Sequence, residues 1–150
     1  MGSLSESPTS PQVEPSGSSI RRILVVDDEP LAAQVAARAL KAAGYRTAEV
    51  GNARDALALL ANGKERFDLV VTDVVMPETD GRTLGRLIGE RHPGLPVIYV
   101  SAYPQNDVFH RGSPDPLAPF LQKPFSPEAL LLIVRQLLPD ASLATRQRTM

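Results

Sequence analysis

The stretch Ile23-Leu24-Val25-Val26-Asp27-Asp28-Glu29-Pro30 joins a short apolar run to an acidic one. Its first four residues are apolar and mostly β-branched, which predicts a strand buried on both faces. Pro30 then stands where the first turn of a helix tolerates proline. Apolar residues follow it at helical spacing: Leu31, Val35, Ala39 and Leu40. The stretch therefore predicts a strand that passes directly into a helix.

The same alternation continues along the chain. Leu69-Val70-Val71 predicts a second strongly buried strand, which leads into Thr72-Asp73. Further strands are predicted over residues 46–50, 97–100 and 119–122, and further helices over residues 53–62, 82–91 and 126–138. Repeated strand–helix units imply a parallel sheet covered by helices on both faces. In such sheets the functional crevice lies beyond the carboxyl ends of the strands.

The composition excludes several classes of protein. The 150 residues are 43% hydrophobic, which suits one domain with one core, and a net charge of −1 gives no electrostatic reason to expect nucleic acid or a membrane surface as partner. No cysteine is present, so disulfides, thiolate metal sites and cysteine nucleophiles are excluded. Because no apolar run approaches the roughly 20 residues of a membrane helix, we expect a cytoplasmic protein.

Composition also divides the chain. Residues 1–20 are rich in serine and proline and poor in apolar side chains, which predicts a disordered lead or linker. Residues 21–138 carry the strand–helix pattern and form the predicted domain. Residues 139–150 are again polar and are expected to be a frayed tail.

Polar side chains follow four of the predicted strands. Asp27-Asp28 comes after the first strand, Asp73 after the third, Ser101 after the fourth and Lys123 after the fifth. Most have an ordinary alternative: a helix cap for Asp27 and Asp28, a turn residue for the serine and a solvated surface position for the lysine. Four compatible groups at one edge favour a functional site over a coincidence.

The chemistry of this edge follows from its charges. Three neighbouring carboxylates repel one another until a cation relieves the repulsion. Oxygen ligands without histidine or cysteine select a hard divalent ion, and a small site favours Mg²⁺. A carboxylate beside such an ion is a competent nucleophile toward phosphorus. The Lys123 ammonium and the Ser101 hydroxyl would then hold oxygens of the phosphoryl group.

Four motifs resemble those of a known family: Asp27-Asp28, Thr72-Asp73-Val74-Val75-Met76-Pro77-Glu78-Thr79-Asp80-Gly81, Val100-Ser101-Ala102 and Lys123-Pro124-Phe125. Together they resemble the receiver domain of response regulators in two-component and phosphorelay systems, over roughly residues 22–138. The resemblance implies a flavodoxin-like α/β fold, doubly wound around a five-stranded parallel sheet of strand order 2-1-3-4-5.

The resemblance also implies roles for the acidic residues. Asp73 is the phosphoacceptor, and Asp28 and Asp73 bind Mg²⁺ directly. Asp27 acts through water, and the main-chain carbonyl of Val75 completes the protein ligands. The phosphodonor is a sensor histidine kinase or a histidine phosphotransfer protein, because neither His92 nor His110 stands in the context of a kinase helix.

The resemblance further implies a switch. Lys123 and Ser101 contact the phosphoryl group, and phosphorylation draws the Ser101 hydroxyl inward. Phe120 matches the aromatic position that swings into the vacated space; an ordinary core role is the less favoured alternative. The Lys123–Pro124 bond is expected to be cis, an isomer that only proline makes accessible at low cost.

The chain departs from the family between Ser101 and Phe120, where a regular fourth helix is usual. Prolines and a glycine in this segment predict at most one or two turns around residues 106–111, and so an irregular or shortened fourth helix. This is similar to receivers attached to hybrid sensor histidine kinases. The last helix carries excess apolar surface at Leu131 and Leu132, a candidate patch for a phosphorylation-dependent homodimer or another partner.

Two alternatives compete with a phosphoryl-accepting domain that turns over no metabolite. A Mg²⁺-dependent phosphatase with an aspartyl nucleophile would carry a second aspartate two residues later, where this chain has Val75. A phosphorylation-silent receiver, acting only as a protein-binding module, would ordinarily lack one of the site groups. The sequence carries them all, which favours the first reading.

Overall fold

The computed structural model describes residues 20–104 and 118–139. In that part of the chain, five strands and four helices follow one another in the predicted order. The strands are β1 (Arg22–Val26), β2 (Arg46–Val50), β3 (Leu69–Asp73), β4 (Val97–Ser101) and β5 (Phe120–Gln122). The helices are α1 (Pro30–Ala42), α2 (Ala53–Asn62), α3 (Gly81–Arg91) and α4 (Pro127–Leu137).

The five strands form one parallel sheet in the order β2-β1-β3-β4-β5, which confirms the predicted topology. Helices α1 and α4 cover one face, where the side chains of Ile23, Val25 and Val71 pack against Leu40 and Leu130. Helices α2 and α3 cover the other face, which receives the intervening strand residues such as Leu24, Val26 and Val70. The sheet is therefore buried on both faces, as its continuous apolar runs require.

Local signals set the ends of the helices. The side chain of Asn52 accepts a hydrogen bond from the Asp55 N–H and caps α2, which ends at Gly63 in the left-handed region (φ 69°). Ser126 caps α4 by accepting from the Ala129 N–H, and Pro127 occupies its first turn as predicted. Among the described residues, no helix has the length and apolarity needed to span a membrane.

Helix α1 forms where predicted, and it turns mainly small side chains to the sheet. Leu31 and Val35 are 75% and 58% exposed, whereas Ala33, Ala36 and Ala37 are buried together with Leu40. Small alanine side chains let the helix axis approach the sheet closely, and this close packing leaves the larger side chains outside. The helical spacing of the apolar residues therefore predicted the helix, and the structure adds which of its faces is buried.

The apolar side chains of helix α4 differ in how far they are buried. Leu130, Val134 and Leu138 are buried as expected. Leu132 is 60% exposed, but Leu131 is half-buried and packs against the core, so the predicted exposure of Leu131 was wrong. Two neighbouring positions on a helix differ by about 100° in direction, so Leu131 packs against the core while Leu132 faces solvent.

Several predictions lie outside the described residues. They concern the serine- and proline-rich lead up to residue 19, the segment 105–117 with its shortened helix and His110, and the tail from residue 140 onward. These predictions stay as they stand.

Candidate active site at the carboxyl edge of the sheet

The parallel sheet brings the polar strand-end residues to one edge. Asp27 follows β1 directly, Asp73 is the last residue of β3, and Ser101 is the last residue of β4. Lys123 follows β5, whose Gln122 is paired with Ser101. One carboxylate oxygen from each of Asp27, Asp28 and Asp73 lies within 4.8 Å of the other two. The structure thus brings together all five of the strand-end residues singled out from the sequence.

Lys123 binds two of the three carboxylates. Its Nζ lies 2.8 Å from Asp27 Oδ2 and 3.1 Å from Asp73 Oδ2. Burial alone would lower the pKa of Lys123, but the hydrogen bonds and negative charges of Asp27 and Asp73 outweigh it and raise the pKa above its usual value. The ammonium group therefore stays charged, and it supplies the protein's own positive charge at this site.

Asp73 is a buried carboxylate with a second carboxylate close by. It is 7% exposed, and its Oδ1 accepts a hydrogen bond from the Val75 N–H at 3.2 Å. Burial raises the pKa of Asp73, and the charge of Asp27 adds to this, whereas Lys123 and the Val75 N–H act in the opposite direction. Because the net shift is upward, the anionic form of Asp73 would be stabilised by further positive charge at this edge.

Asp27 and Asp28 differ in their surroundings. Asp27 is 5% exposed, and its Oδ1 accepts from the Glu29 N–H at 3.0 Å, while Asp28 is exposed. The residue that caps α1 is Glu29, without a side-chain hydrogen bond to the helix. Capping therefore does not explain the acidic pair, although Asp27 does organise the turn that leads into α1.

Ser101 ties β4 to the end of β5. It is fully buried, its Oγ accepts a hydrogen bond from the Tyr103 N–H at 3.1 Å, and its main-chain oxygen accepts from the Lys123 N–H at 2.7 Å. The Lys123–Pro124 peptide bond is cis, as the resemblance implies. The lysine is thus positioned through its main chain by one strand and through its side chain by two others.

Gly81 is a positioning residue whose role the sequence pattern alone did not indicate. A Cβ atom at Gly81 would lie 2.2 Å from the main-chain oxygen of Asp73 and 2.9 Å from Val74 Cα. Its N–H donates to the main-chain oxygen of Val74 at 2.7 Å. Only glycine lets the first turn of α3 abut the end of β3, which fixes the backbone that carries Asp73.

Asp80 is a second residue whose role was missed. Its Oδ1 accepts from the Thr83 N–H at 3.0 Å, and it caps α3, while Oδ2 accepts from the Arg82 guanidinium at 3.0 Å. Burial alone would raise the pKa of Asp80, but these partners lower it overall. An aspartate immediately before a helical stretch is a recognisable cap signal, so the sequence did contain the information.

Phe120 packs beside the site. It is half-buried and belongs to a small apolar cluster with Val74 and Tyr99, directly behind the end of β3. The Tyr99 hydroxyl approaches Gly85 on α3, where a Cβ would lie 1.7 Å from it. Phe120 therefore sits against the layer that supports Asp73.

Comparison with known proteins agrees with this geometry. The model of the response regulator receiver domain family matches residues 23–135, and the chain belongs to that family. It is 39% identical, over 117 residues, to the sensor kinase CckA of Brucella abortus. The match covers 77% of this chain, which spans 12% of the length of that kinase.

Solved structures show the same fold. The receiver domain from the hybrid histidine kinase CckA superposes with a TM-score of 0.64 at 32% identity, covering 78% of this chain and 98% of that one. The response regulator TrrA from Thermotoga maritima, in complex with Mg²⁺-BeF, gives a TM-score of 0.71 at 28% identity, covering 79% and 100%.

The chain is thus a receiver domain of the two-component type. Its acidic pocket of Asp27, Asp28 and Asp73, together with Lys123, is typical of receivers that are phosphorylated on aspartate. Membership of the family implies a kinase or phosphotransfer protein as partner in general terms. The three aspartates form an acidic site of the kind found in Mg²⁺-binding receivers.

Proposed function

We propose that this receiver accepts a phosphoryl group on Asp73 from a phosphohistidine of a sensor histidine kinase or a histidine phosphotransfer protein. The phosphorylated domain then switches partner binding or relays the group onward. The observation that carries the proposal is the bridge from Lys123 Nζ to Asp27 and Asp73, next to the third carboxylate. This arrangement couples a nucleophilic carboxylate to the cations that phosphoryl transfer requires.

The donor set supports Mg²⁺ as the metal. Three carboxylate oxygens within 4.8 Å of one another, without nitrogen or sulfur ligands, suit a small hard cation. In the proposed site Asp28 and Asp73 bind it directly, Asp27 binds through water, and the main-chain carbonyl of Val75 completes the protein ligands. When bound, the ion supplies positive charge that neutralises the phosphoryl oxygens.

The transfer step is a displacement at phosphorus. A carboxylate oxygen of Asp73 forms the new P–O bond while the P–N bond of the phosphohistidine breaks, and the leaving imidazole nitrogen keeps the electron pair and takes up a proton. Asp73 becomes an acyl phosphate. The Lys123 ammonium lies 3.1 Å from Asp73 Oδ2 and is placed to bind one oxygen of the transferred phosphoryl group. The Ser101 hydroxyl binds a second phosphoryl oxygen.

The proposed switch couples Ser101 to Phe120. The Ser101 hydroxyl moves toward the phosphoryl group and gives up its hydrogen bond from the Tyr103 N–H. Phe120 then turns further into the space behind it. The half-buried position of Phe120 against Val74 and Tyr99 supports this role, because the ring is already at the boundary of the core.

The proposal extends to the domain and its activity. In this proposal residues 21–138 form the receiver domain, with a lead (1–20) before it and a tail (139–150) after it. The only chemistry of the domain is its own phosphorylation and dephosphorylation. The protein acts in the cytoplasm. A homodimer formed on phosphorylation would use α4, where exposed Leu132 supports the interface and half-buried Leu131 contributes only an edge. The alternative is a phosphorylation-silent receiver that acts as a protein-binding module.

Intact-mass spectrometry with acetyl phosphate tests the proposal. We expect one phosphoryl adduct that depends on Mg²⁺ and is absent in Asp73→Asn. Asp55→Asn is the matched control, since Asp55 is an exposed aspartate at the start of α2 and should leave the adduct unchanged. No adduct on the unmodified chain, or an adduct that persists in Asp73→Asn, would contradict the proposed acceptor and favour the silent module.

A further inference from the structure

Thr72 is a buried polar residue that the proposed reaction does not yet use. Within residues 20–104 and 118–139, the buried polar and charged residues are Asp27, Thr72, Asp73 and Ser101. Three of these belong to the acidic edge, and Thr72, which is fully buried, directly precedes Asp73 on β3. Burying a hydroxyl in an apolar core costs free energy unless a hydrogen bond compensates for it. A threonine at this position therefore has to be explained by what its hydroxyl binds.

The hydroxyl of Thr72 binds the main chain of the proposed phosphoacceptor. Its Oγ1 donates a hydrogen bond of 2.9 Å to the main-chain oxygen of Asp73. Because side chains alternate along a strand, Thr72 shares the face of Val70, where the core around Leu24 and Val26 is apolar. Valine has the same branched shape and would bury no hydroxyl on this face. The hydrogen bond to Asp73 is thus what threonine provides here and valine would not.

The peptide group between Asp73 and Val74 is held at both of its polar ends. Its oxygen accepts from Thr72, and its N–H donates to the main-chain oxygen of Val100 on β4 at 3.0 Å. Gly81 on α3 packs against the same peptide group, since a Cβ there would lie 2.2 Å from the Asp73 oxygen. The orientation of this peptide group is therefore set by one side chain, one strand and one helix.

We propose that Thr72 is a positioning residue for phosphoryl transfer, whose hydroxyl fixes the peptide group after Asp73 and thereby aims the Asp73 carboxylate at phosphorus. The inference rests on the proposed function and deepens it. The carboxylate itself is held by the Val75 N–H at 3.2 Å and by Lys123 Nζ at 3.1 Å. Both bonds need a backbone that does not turn. Misplacing a reacting group by about 1 Å slows a reaction by about 100-fold, so even a partial loss of orientation should be measurable.

Phosphorylation rates with acetyl phosphate and Mg²⁺ test the proposal in two variants of Thr72. In this reaction an Asp73 oxygen forms the new P–O bond, and acetate leaves with the electron pair. Thr72→Val removes the hydroxyl and keeps the shape, and we expect its maximal rate to be about tenfold lower. The half-saturating concentration of acetyl phosphate should not change, because a fully buried side chain does not contact the donor. Thr72→Ser keeps the hydroxyl and should retain most of the rate.

Urea unfolding of the same variants separates positioning from a purely structural role. Thr72→Val loses a buried hydrogen bond and Thr72→Ser loses a buried methyl group, so both should unfold at lower urea concentrations than the unmodified chain. Only the valine variant should lose rate. Thr47→Val on β2 is the matched control, because Thr47 Oγ1 is buried and has no hydrogen-bond partner within the described residues. It should change neither the rate nor the half-saturating concentration.

Nuclear magnetic resonance supplies a measurement that needs no phosphorylation. In the chain labelled with ¹³C and ¹⁵N, the main-chain carbonyl of Asp73 reports the hydrogen bond from Thr72 directly. The amide of Val75 reports the orientation of the Asp73 carboxylate, to which it donates. We expect both signals to shift in Thr72→Val and to return toward their original positions in Thr72→Ser.

The remaining outcomes refute the positioning role. They are an unchanged maximal rate in Thr72→Val, a loss of rate in Thr72→Ser as large as in Thr72→Val, and unchanged signals of Asp73 and Val75 in Thr72→Val. If the unmodified chain forms no adduct on Asp73, the proposed function is wrong. In that case the two resonance signals alone decide whether Thr72 orients Asp73.

Discussion

Helix α3 contains three glycines at intervals of four residues, and each meets a different environment. A Cβ at Gly89 would have no neighbour within 4 Å. At Gly85 it would lie 1.7 Å from the Tyr99 hydroxyl and 2.7 Å from its Cζ. At Gly81 it would lie 2.2 Å from the Asp73 main-chain oxygen. We expect the same substitution to alanine at these positions to change the free energy of unfolding in different directions.

The expected magnitudes follow from what each methyl group displaces. Gly89→Ala should stabilise the protein by about 1 kcal/mol, the difference in helix propensity. Gly85→Ala gains the same propensity, but it must shift a tyrosine that is 4% exposed, and overpacking of this kind costs about 1–3 kcal/mol. The net change should therefore be a destabilisation of up to about 2 kcal/mol.

Gly81→Ala should be the most damaging of the three. The obstacle is backbone, which cannot rotate away, and at the first residue of the helix the gain in propensity is small. We expect a loss of about 3 kcal/mol or more, at the upper end of overpacking effects. Because α3 must move away from the end of β3, this variant should also form less of the Asp73 phosphoryl adduct, whereas Gly89→Ala should form as much as the unmodified chain.

Urea unfolding followed by circular dichroism measures the differences. The midpoints should fall in the order Gly89→Ala, unmodified chain, Gly85→Ala, Gly81→Ala, with similar slopes. Tyr99→Phe removes the nearest atom that opposes the new methyl group, so combined with Gly85→Ala it should recover part of the loss in a double-mutant cycle. Equal midpoints for the three alanine variants within about 0.5 kcal/mol would refute the reasoning from close approach.

Three further predictions address charge and shielding at the site. Lys123→Met should lower the free energy of unfolding by about 2–3 kcal/mol at neutral pH, because it leaves two buried carboxylates without their cation. In urea unfolding this loss should shrink as the pH approaches 3.8, the ordinary carboxyl pKa, because protonation of Asp73 relieves the repulsion. A loss that grows on acidification would contradict this. Asp80→Ala should cost about 1 kcal/mol through loss of the cap, whereas Asp80→Asn keeps the acceptor. Because the pKa of Asp80 is lowered in the folded state, its charge contributes fully to stability above pH 3.8, and this contribution is lost as the pH falls through the lowered folded-state pKa. Plots of unfolding free energy against pH for Asp80→Asn and the unmodified chain should therefore converge in acid. Parallel plots would argue against this role of the Asp80 charge. Tyr103→Ala should shorten the lifetime of the acyl phosphate by removing a side chain, 57% exposed beside Ser101, that shields it from water; an unchanged half-life would exclude that role.

Much of the site could be predicted because its determinants are local and its geometry is shared by every parallel sheet. Short runs such as Ile23 to Val26 identify buried strands, and the parallel arrangement then delivers Asp27, Asp73 and Lys123 to one edge. Opposite charges at that edge make the Lys123 bridge the natural outcome. Neither inference requires knowledge of how closely two elements pack.

Close packing is what the sequence did not reveal. Helical spacing grouped Leu31 and Val35 with Leu40, but Ala33 and Ala36 are the residues buried beside Leu40, and the two larger side chains are exposed. The role of Gly81 depends on where the Asp73 carbonyl lies after folding. Such choices belong to tertiary structure, where small residues decide which surfaces can meet.

The shortness of β5 has a consequence for the stability of this edge of the sheet. The strand has three residues, none of them fully buried, and among the described strands it pairs with β4 alone. Phe120 and Leu121 pack against the core from partly buried positions, and the two carboxylates that hold Lys123 add an electrostatic anchor at the end of the strand. Local unfolding free energies are lowest where burial is least, so electrostatics at one end of this edge strand contributes to how readily it opens. A change in the anion that Lys123 contacts should therefore change how often β5 detaches from the sheet.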